Sequence, residues 1–283
     1  MATFTNKATL TYNGRSTDSN TVVGNFAEIL AVTKTAVDNT YSDGSDITYI
    51  VSLVNSSTSS LSGLTLVDDL GAYAFGGGDI VPLDYISGSL RYFINGVLQP
   101  DIAVGATPPL TISGISVPAG GNAMLIYETT VNNKAPLDVD SSILNTVTVS
   151  GGTLAESVTA TETVNTVAEA LLSITKSLFP TTITENGALT YTFVIQNSGN
   201  TAVVATDNAI VSDTFDPILN ITSVSLDGVA LTEGAGYTYN AATGEFATVG
   251  GVITVPAATY TQNPDGTIVT VPGAVTLVVN GVI

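Results

Sequence analysis

The chain of 283 residues contains no cysteine, no histidine and no tryptophan, and only six of its side chains are basic. Without cysteine it forms neither disulfides nor thiolate metal sites, and without histidine it lacks the commonest general base of enzymes. Six basic against 24 acidic residues give a formal net charge of −18, which opposes nucleic-acid binding. No apolar run is long enough to span a membrane. We therefore expect no nucleic acid, membrane insertion or cofactor.

Short runs of alternating apolar and polar residues recur along the whole chain. Examples are DITYIVSLVN, ALTYTFVIQN, GNAMLIYETTVN and AVTLVVNG, and turn-forming residues bound such runs. Because residues two apart share one face of a strand, these runs predict strands with one buried face. No window of ten or more residues shows convincing helical spacing. The sequence therefore predicts an all-β sandwich or barrel.

Two stretches of the chain repeat one another, which predicts two domains of the same fold. VTKTAVDNTYSDGSDITYIVSLVNSS aligns with ITKSLFPTTITENGALTYTFVIQNSG and pairs Lys34 with Lys176. Further on, LVDDL aligns with VSDTF and pairs Asp68 with Asp213. The predicted boundaries give an N-terminal strand with its connector, a complete domain and a second domain, over residues 1–28, 29–168 and 169–283.

The last strand of the first repeat has no counterpart at the end of the second repeat. The first repeat ends in SSILNTVTVSGG, where Asn145 lies on an otherwise apolar face. The second repeat stops before such a strand, but FTNKATLTYNG near the N terminus carries the same pattern. The matching face consists of alternate residues, namely Phe4, Asn6, Ala8, Leu10 and Tyr12.

The N-terminal segment is therefore predicted to be a donor strand for the second domain, which lacks its own last strand. A sheet with a missing strand exposes unpaired N–H and C=O groups and leaves a gap in its core. The donor strand could fold back onto its own chain or fill a neighbouring subunit. Filling a neighbour, repeated head to tail, gives an open filament. A piece cut from a longer array of repeats is the alternative explanation of the same two ends.

ITKSLFPTTITENGALTYTFVIQNSGN, IVSDTF and LNTVTVSG resemble the repeat domain of long bacterial and archaeal surface proteins, often catalogued as domain of unknown function eleven. The resemblance covers nearly the whole chain, although VNSSTSS in the first repeat lacks the Gly-Asn turn. It implies two tandem immunoglobulin-like or Cna-B-like antiparallel β-sandwiches, and some pilin domains of that kind contain Lys–Asn isopeptide bonds. By analogy with pilus-like and spore appendages, it implies an extracellular location on a cell or spore surface.

The residues themselves allow such a bond in the first domain. Lys34 and its equivalent Lys176 lie on apolar strand faces, where burial favours the neutral and nucleophilic amine. Asp68 and Asp213 lie on apolar faces as well. A buried carboxylic acid there would polarise an asparagine amide and relay protons. The repeat pairs Lys34 with Asn145, with Asp68 assisting.

In the second domain Lys176 has no local terminal asparagine, so the pattern pairs it with Asn6, with Asp213 assisting. If Asn6 comes from a neighbouring subunit, this bond is intermolecular. A snorkelling lysine, a buried Lys–Asp salt bridge or a hydrogen-bonded asparagine explains the same residues without any bond. Glu128 is an alternative acid in the first domain, but its expected repeat partner is Val279, so it cannot serve both domains.

These features predict a structural subunit of an extracellular filament that polymerises with copies of itself. It is no enzyme beyond autocatalytic bond formation. The alternative is a surface adhesin or stalk module whose loops bind an unidentified host or polymer ligand. Acidic loops such as DNTYSDGSD do not match the spacing of the twelve-residue Ca²⁺ loop, so no metal site is expected.

Overall fold

The computed structural model describes residues 3–25, 28–105 and 107–283, which fold almost entirely into antiparallel strands. The predicted N-terminal segment of residues 1–28 therefore includes four positions, 1, 2, 26 and 27, that lie outside the described residues. A single 3₁₀ turn, Ala205–Asp207, is the helical element of the described part. None of the described residues belongs to a helix long and apolar enough to cross a membrane.

The chain divides into two compact units near the boundary between the repeats. The first unit comprises Met1–Pro136 and Ser142–Asn165, and the second comprises Leu137–Ser141 and Thr166–Ile283. The short segment 137–141 thus belongs to the second unit, although it precedes the last strands of the first.

Residues 3–25 of the first unit form a two-stranded antiparallel ribbon, which we call the N-terminal hairpin. Its strands are β1 (Thr3–Asn6), β2 (Thr9–Tyr12), β3 (Arg15–Asp18) and β4 (Val22–Asn25). β1 pairs with β4 and β2 pairs with β3. Asn13 and Gly14 form the tip, and both have the positive φ that a tight two-residue turn needs. Every residue of the hairpin except Gly24 is exposed.

The remainder of the first unit is a sandwich of two main sheets and a small hairpin. Its strands are β5 (Leu30–Ala36), β6 (Thr40–Tyr41), β7 (Asp46–Asn55), β8 (Leu61–Asp68), β9 (Tyr73–Phe75), β10 (Gly78–Ile80), β11 (Leu83–Tyr85), β12 (Arg91–Ile94), β13 (Val97–Leu98), β14 (Ala103–Val104), β15 (Leu110–Val117), β16 (Asn122–Val131), β17 (Ser142–Gly151) and β18 (Val158–Thr166). One sheet has the order β13-β12-β16-β7-β5, and the other has the order β14-β15-β8-β17-β18-β6.

The core of the first unit lies between these two sheets. Alternate side chains of β7 and β16 are buried over the whole length of both strands, as their period-two patterns require. Tyr49, Leu53 and Tyr127 of this sheet and Leu64 and Leu66 of β8 are all fully buried. The predicted all-β sandwich is confirmed.

The second unit repeats one of the two sheets. Its strands are β19 (Leu172–Phe179), β20 (Ala188–Asn197), β21 (Ser212–Thr214), β22 (Asn220–Leu226), β23 (Val229–Leu231), β24 (Tyr237–Asn240), β25 (Glu245–Thr248), β26 (Thr259–Gln262), β27 (Ile268–Val271) and β28 (Gly273–Val282). The order β19-β20-β28-β22-β23 matches β5-β7-β16-β12-β13 of the first unit.

The other sheet of the second unit is smaller and has an open edge. Its order is β21-β25-β24, so β21 is an edge strand, whereas its counterpart β8 lies between β15 and β17. Within the described residues of the second unit, no pair of strands occupies the place of the β17–β18 hairpin. Aromatic residues dominate the core beside this edge, with the rings of Phe215 and Tyr191 stacked at 4.9 Å and that of Phe246 at 5.8 Å from Phe215.

Candidate functional site

A buried ion pair joins the two sheets of the first unit. Lys34 projects from the edge strand β5, and its ammonium donates a hydrogen bond of 2.8 Å to Oδ2 of Asp68 on β8. Solvent reaches neither side chain. The ammonium also lies 4.5 Å from the centre of the Tyr49 ring, a distance typical of a cation–π contact. Lys34 and Asp68, both inferred from alternation to face inward, therefore meet in the core.

The environment of Lys34 favours the neutral amine. Burial lowers the pKa of Lys34, and the attraction of Asp68 offsets this effect only in part. A buried ion pair pays a large desolvation cost, and transfer of one proton along the hydrogen bond removes both charges. A lysine that holds its proton less tightly than usual is a better nucleophile, and Asp68 is the carboxylate within hydrogen-bond distance of it.

Two further donors hold the Asp68 carboxylate in place. The backbone N–H of Leu70 donates to Oδ1 at 2.8 Å, and the hydroxyl of Tyr127 donates to Oδ2. Burial raises the pKa of Tyr127 well above its usual value, and the charge of Asp68 adds to this effect, so the hydroxyl remains a donor. The sequence gives no signal for this role, because an inward tyrosine on an alternating strand is indistinguishable from a core residue.

Asn145 completes the buried cluster from β17. It lies two residues from Val147, which is opposite Asp68 in the β8–β17 ladder, and β17 runs close to β5. The side chain is fully buried, yet neither its Nδ2 nor its Oδ1 has a hydrogen-bond partner. The neighbouring Tyr49 hydroxyl also completes no hydrogen bond. The pKa of Tyr49 is raised by burial, and the proximity of the Asn145 amide lowers it to a smaller extent.

Burial of the Asn145 amide without hydrogen bonds therefore lowers the stability of the folded chain. An unsatisfied buried polar group costs about 1–3 kcal/mol, and this amide carries two such groups. Among the described residues, the Tyr49 hydroxyl is the only other buried side-chain group without a partner. A purely structural asparagine would normally have its hydrogen bonds satisfied.

The second unit contains the matching lysine and aspartate, but solvent reaches them. Lys176 on β19 forms an ion pair with Asp213 on β21, with 40% of the lysine side chain and 17% of the aspartate side chain exposed. The ammonium lies 4.5 Å from the centre of the Tyr191 ring and 5.4 Å from that of Phe215. The second unit therefore has the same Lys–Asp ion pair as the first, but its side chains are not shielded from solvent.

The strand that carries Lys176 is exposed along its whole length. Leu172 on β19 is 48% exposed, whereas the corresponding Leu30 on β5 is 4% exposed. Ile174 is exposed as well. Because β5 and β19 hold the same place in their sheets, the difference arises from what covers them. In the first unit β17 approaches β5.

The strand register revises one detail of the repeat alignment. Tyr127 lies opposite Tyr49, and Val279 lies opposite Tyr191, so Tyr127 corresponds to Val279. The sequence alignment that matched Glu128 to Val279 is therefore displaced by one residue. Glu128 is exposed on the outer face of β16 and takes no part in the buried cluster. The second unit has no hydroxyl at the position of Tyr127.

The predicted donor face is exposed in the N-terminal hairpin. Leu10 and Tyr12 are 67% and 74% exposed, and Phe4 and Ala8 are exposed as well. Asn6 is exposed too, and it lies opposite Val22 in the β1–β4 pairing. Within the described part of the chain, no group of three or more acidic side chains is arranged to hold a metal ion.

Comparisons with known proteins identify remote structural neighbours. No family model and no curated protein matches the chain. The chain is similar to the major pilin subunit BcpA of Bacillus cereus, with 12% identity and a TM-score of 0.36 over 96% of this chain and 73% of that one. It is similar to the pilus backbone RrgB of Streptococcus pneumoniae, with 14% identity and a TM-score of 0.35 over 90% of this chain and 50% of that one.

A family 123 glycoside hydrolase from Clostridium perfringens is also similar, with 10% identity and a TM-score of 0.32 over 49% of this chain and 27% of that one. The chain thus spans half of the pilus backbone and about a quarter of the hydrolase. Likenesses this remote, shared by structural subunits and an enzyme, carry no argument about activity.

Proposed function

We propose that the protein is the structural subunit of an extracellular filament, which grows when the N-terminal hairpin of one copy completes the second unit of the next. The observation that carries this proposal is the open face of the second unit beside β21. Lys176 and Leu172 are exposed there, whereas Lys34 and Leu30 are buried. A spare segment with the pattern of the missing strand lies at the opposite end of the chain.

Apolar burial favours this assembly. The donor face presents Phe4, Leu10 and Tyr12, and the open face presents Leu172 and Ile174, all of them exposed in the single chain. Full burial of a large apolar side chain is worth about 1.5–3 kcal/mol. Strand addition also satisfies the N–H and C=O groups at the edge of β21. The donor and acceptor surfaces differ, so repeated contacts extend an open filament.

We propose that both units belong to the surface-repeat family, because the Lys strand and the Asp strand follow its motif order in each unit, and the terminal Asn strand follows them in the first unit. A location outside a cell or on a spore rests on this assignment. Self-association is then the principal interaction of the protein. The two bonds proposed next stabilise the first unit and link neighbouring copies, respectively.

In the first unit we propose an isopeptide bond between Lys34 and Asn145. Lys34 passes a proton to Asp68, and the neutral amine attacks the side-chain carbonyl carbon of Asn145 while Asp68 protonates the carbonyl oxygen. The amide C–N bond then breaks as the carbonyl re-forms and its oxygen returns the proton to Asp68. The nitrogen leaves as ammonia with the proton lost by the attacking amine. The reaction is an acyl transfer that needs no oxidant or cofactor. It removes the unsatisfied Nδ2 of Asn145, while Oδ1 stays as the carbonyl oxygen of the new amide beside Asp68.

In the second unit we propose the same reaction between Lys176 and the Asn6 of a neighbouring copy. Asp213 takes the role of Asp68. Because the lysine is open to solvent in the single chain, the site becomes dry only when the neighbour's hairpin covers it. Docking therefore precedes bond formation, and the bond makes the filament covalent.

The Tyr127 hydroxyl is expected to position Asp68 for the reaction in the first unit. Changing Tyr127→Phe should slow formation of the Lys34–Asn145 bond roughly tenfold or more, since a hydrogen bond to a charged group is worth about 1.5–3 kcal/mol. The rate is followed by intact mass after refolding. Tyr41→Phe is the matched control, because it removes a buried hydroxyl that donates to the carbonyl of Pro136 at 2.6 Å. Equal rates in both variants would contradict a positioning role.

Filament growth is tested by removing residues 1–25. The full chain should form filaments visible in electron micrographs, and the truncated chain should stay soluble and monomeric. The truncated chain should still form the Lys34–Asn145 bond, which shows that its first unit folds. Filaments of the truncated chain would refute the proposed role of the hairpin.

A further inference from the structure

We propose that the element passed between subunits is the whole N-terminal hairpin of residues 3–25, inserted with both of its strands paired. This inference rests on the proposed head-to-tail assembly and specifies what occupies the open face. The alternative is a single donor strand, which is what the sequence pattern of residues 4–14 indicates. Single-strand insertion requires β1 and β2 to separate from β4 and β3, whereas hairpin insertion keeps those pairs.

The first unit shows that two strands fill the corresponding place. β17 pairs with β8 on one side and with β18 on the other, from Ser142 opposite Asn165 to Val149 opposite Val158. In the second unit β21 is an edge strand. A single added strand would move the open edge by one position and leave it unpaired. A hairpin restores both strands of the first unit.

The N-terminal hairpin has the same strand pairing at its open end. Thr3 lies opposite Asn25, as Ser142 lies opposite Asn165. The edge of β1 and β2 that faces away from β4 and β3 is the edge that β17 offers to β8. Placing the hairpin in the register of β17 sets Ala8 opposite Asp213, as Val147 is opposite Asp68. Asn6 then takes the place of Asn145.

The two strands of the hairpin also have complementary side-chain sizes. In the first unit Ile143 lies opposite Val164, and both are buried in the core. The corresponding hairpin pair is Phe4 opposite Gly24. The Phe4 ring covers Gly24 so closely that a Cβ on this glycine would lie 2.3 Å from the ring. A large ring over a glycine fills a volume similar to that of two medium side chains such as Ile143 and Val164. This match in volume matters for packing only if both strands of the hairpin enter the core.

Interactions across the hairpin hold the two strands together before insertion. Asp18 on β3 accepts hydrogen bonds from Lys7 at 2.6 Å and from the Thr9 hydroxyl at 2.7 Å, and the Lys7 contact is an ion pair. The ion pair and the Thr9 hydrogen bond both contribute to lowering the pKa of Asp18. Separation of the strands would break both contacts together with the backbone ladder.

The charge of the hairpin complements that of the second unit. Lys7 and Arg15 are its basic residues and Asp18 is its only acidic one. The second unit carries Lys176 as its single basic residue against eleven acidic ones. Opposite net charges steer the encounter of the two surfaces and weaken with added salt. The charges therefore favour docking of this hairpin on the second unit.

A reversible lock across the hairpin tests the proposal on the full chain. Thr5→Cys with Val23→Cys places two cysteines directly opposite one another in the β1–β4 pairing. Opposite residues in an antiparallel pair have Cα atoms about 4.5–5.5 Å apart, within the range that a disulfide spans. The natural chain has no cysteine, so no other disulfide competes. The corresponding residues of the first unit, Leu144 and Thr163, are exposed, so the engineered disulfide is expected to face away from the core.

The oxidised double-cysteine variant should form filaments at a rate within about twofold of its reduced form, because hairpin insertion breaks no β1–β4 pair. Single-strand insertion predicts that the oxidised variant forms none until a reductant is added, and that result would overturn the proposal. If neither form nor the wild-type chain made filaments, or if a chain without residues 1–25 still did, the proposed function itself would be wrong.

A size-exchange experiment tests the proposal without a disulfide. Gly24→Val should slow filament formation roughly tenfold by overpacking against Phe4, and adding Phe4→Ile should largely restore it by recreating the Ile143–Val164 pair. If a single strand were donated, Gly24→Val would loosen the free hairpin and leave the rate unchanged or faster. Such a result, or failure of Phe4→Ile to restore the rate, would contradict insertion of both strands.

Discussion

Replacing Asp68 with alanine should abolish the bond between Lys34 and Asn145 and destabilise the first unit severely. The wild-type chain should be lighter than its sequence mass by about 17 Da, one ammonia, and the variant should have its full sequence mass. The reason is that, among the residues the structure describes, Asp68 is the one carboxylate bonded to Lys34, at 2.8 Å in a site closed to solvent. Without it the amine loses its proton acceptor, and the amide loses its proton donor.

The expected loss of stability in Asp68→Ala has two sources. Removing one partner of a buried ion pair typically costs about 3–5 kcal/mol. The lost bond also closes a loop of roughly a hundred residues, which by analogy with disulfides is worth about 4–5 kcal/mol. Denaturant unfolding measures the sum. Asn145→Ala isolates the second source, because it prevents the bond but leaves the ion pair intact.

Glu128→Gln is the matched control for Asp68→Ala. Glu128 is the alternative acid that the sequence analysis considered for the first domain. Its side chain is exposed on the outer face of β16, away from the buried cluster. The mass deficit and the unfolding midpoint of Glu128→Gln should equal those of the wild type. A mass deficit that persists in Asp68→Ala, or disappears in Glu128→Gln, would refute the assignment of the acid.

The second large effect is expected from Asn6→Ala in the assembled filament. Wild-type filaments boiled in detergent should give a ladder with steps of one chain, 28.8 kDa. Filaments of Asn6→Ala should assemble, because the apolar residues of the donor face are unchanged, but boiling should release only single chains. Asn20→Ala is the matched control, since this exposed asparagine of the same hairpin lies between β3 and β4 and should leave the ladder intact.

Alternation allowed much of this arrangement to be predicted from sequence. A strand period of two assigns Lys34, Asp68 and Asn145 to inward faces, and the structure buries all three. The repeat aligns Lys176 with Lys34 and Asp213 with Asp68, and the structure shows an ion pair at both places, which the sequence analysis gave as an alternative to a bond. These inferences succeed because burial of a polar residue on an apolar face is a local property of the pattern.

Other features depend on contacts between distant strands and could not be predicted. The hydroxyl of Tyr127 reaches Asp68 from the opposite sheet, and nothing in its own strand distinguishes it from core tyrosines such as Tyr49. The alignment of Glu128 with Val279 fails because strand register, not sequence spacing, decides which residues are equivalent. The exposure of Lys176 likewise depends on another part of the sheet, because no described strand of the second unit takes the place that β17 has beside β8 and β5.

The single measurement that tests the account most directly is isotope mixing. Monomeric chains labelled with ¹⁵N are mixed with an equal amount of unlabelled chains before assembly, and the filaments are digested for mass spectrometry. The account predicts a cross-linked peptide that joins Lys176 to Asn6, with half of such pairs combining one labelled and one unlabelled segment. Pairs that are only labelled or only unlabelled would show that the hairpin folds back onto its own chain, and the absence of the peptide would refute the covalent lock.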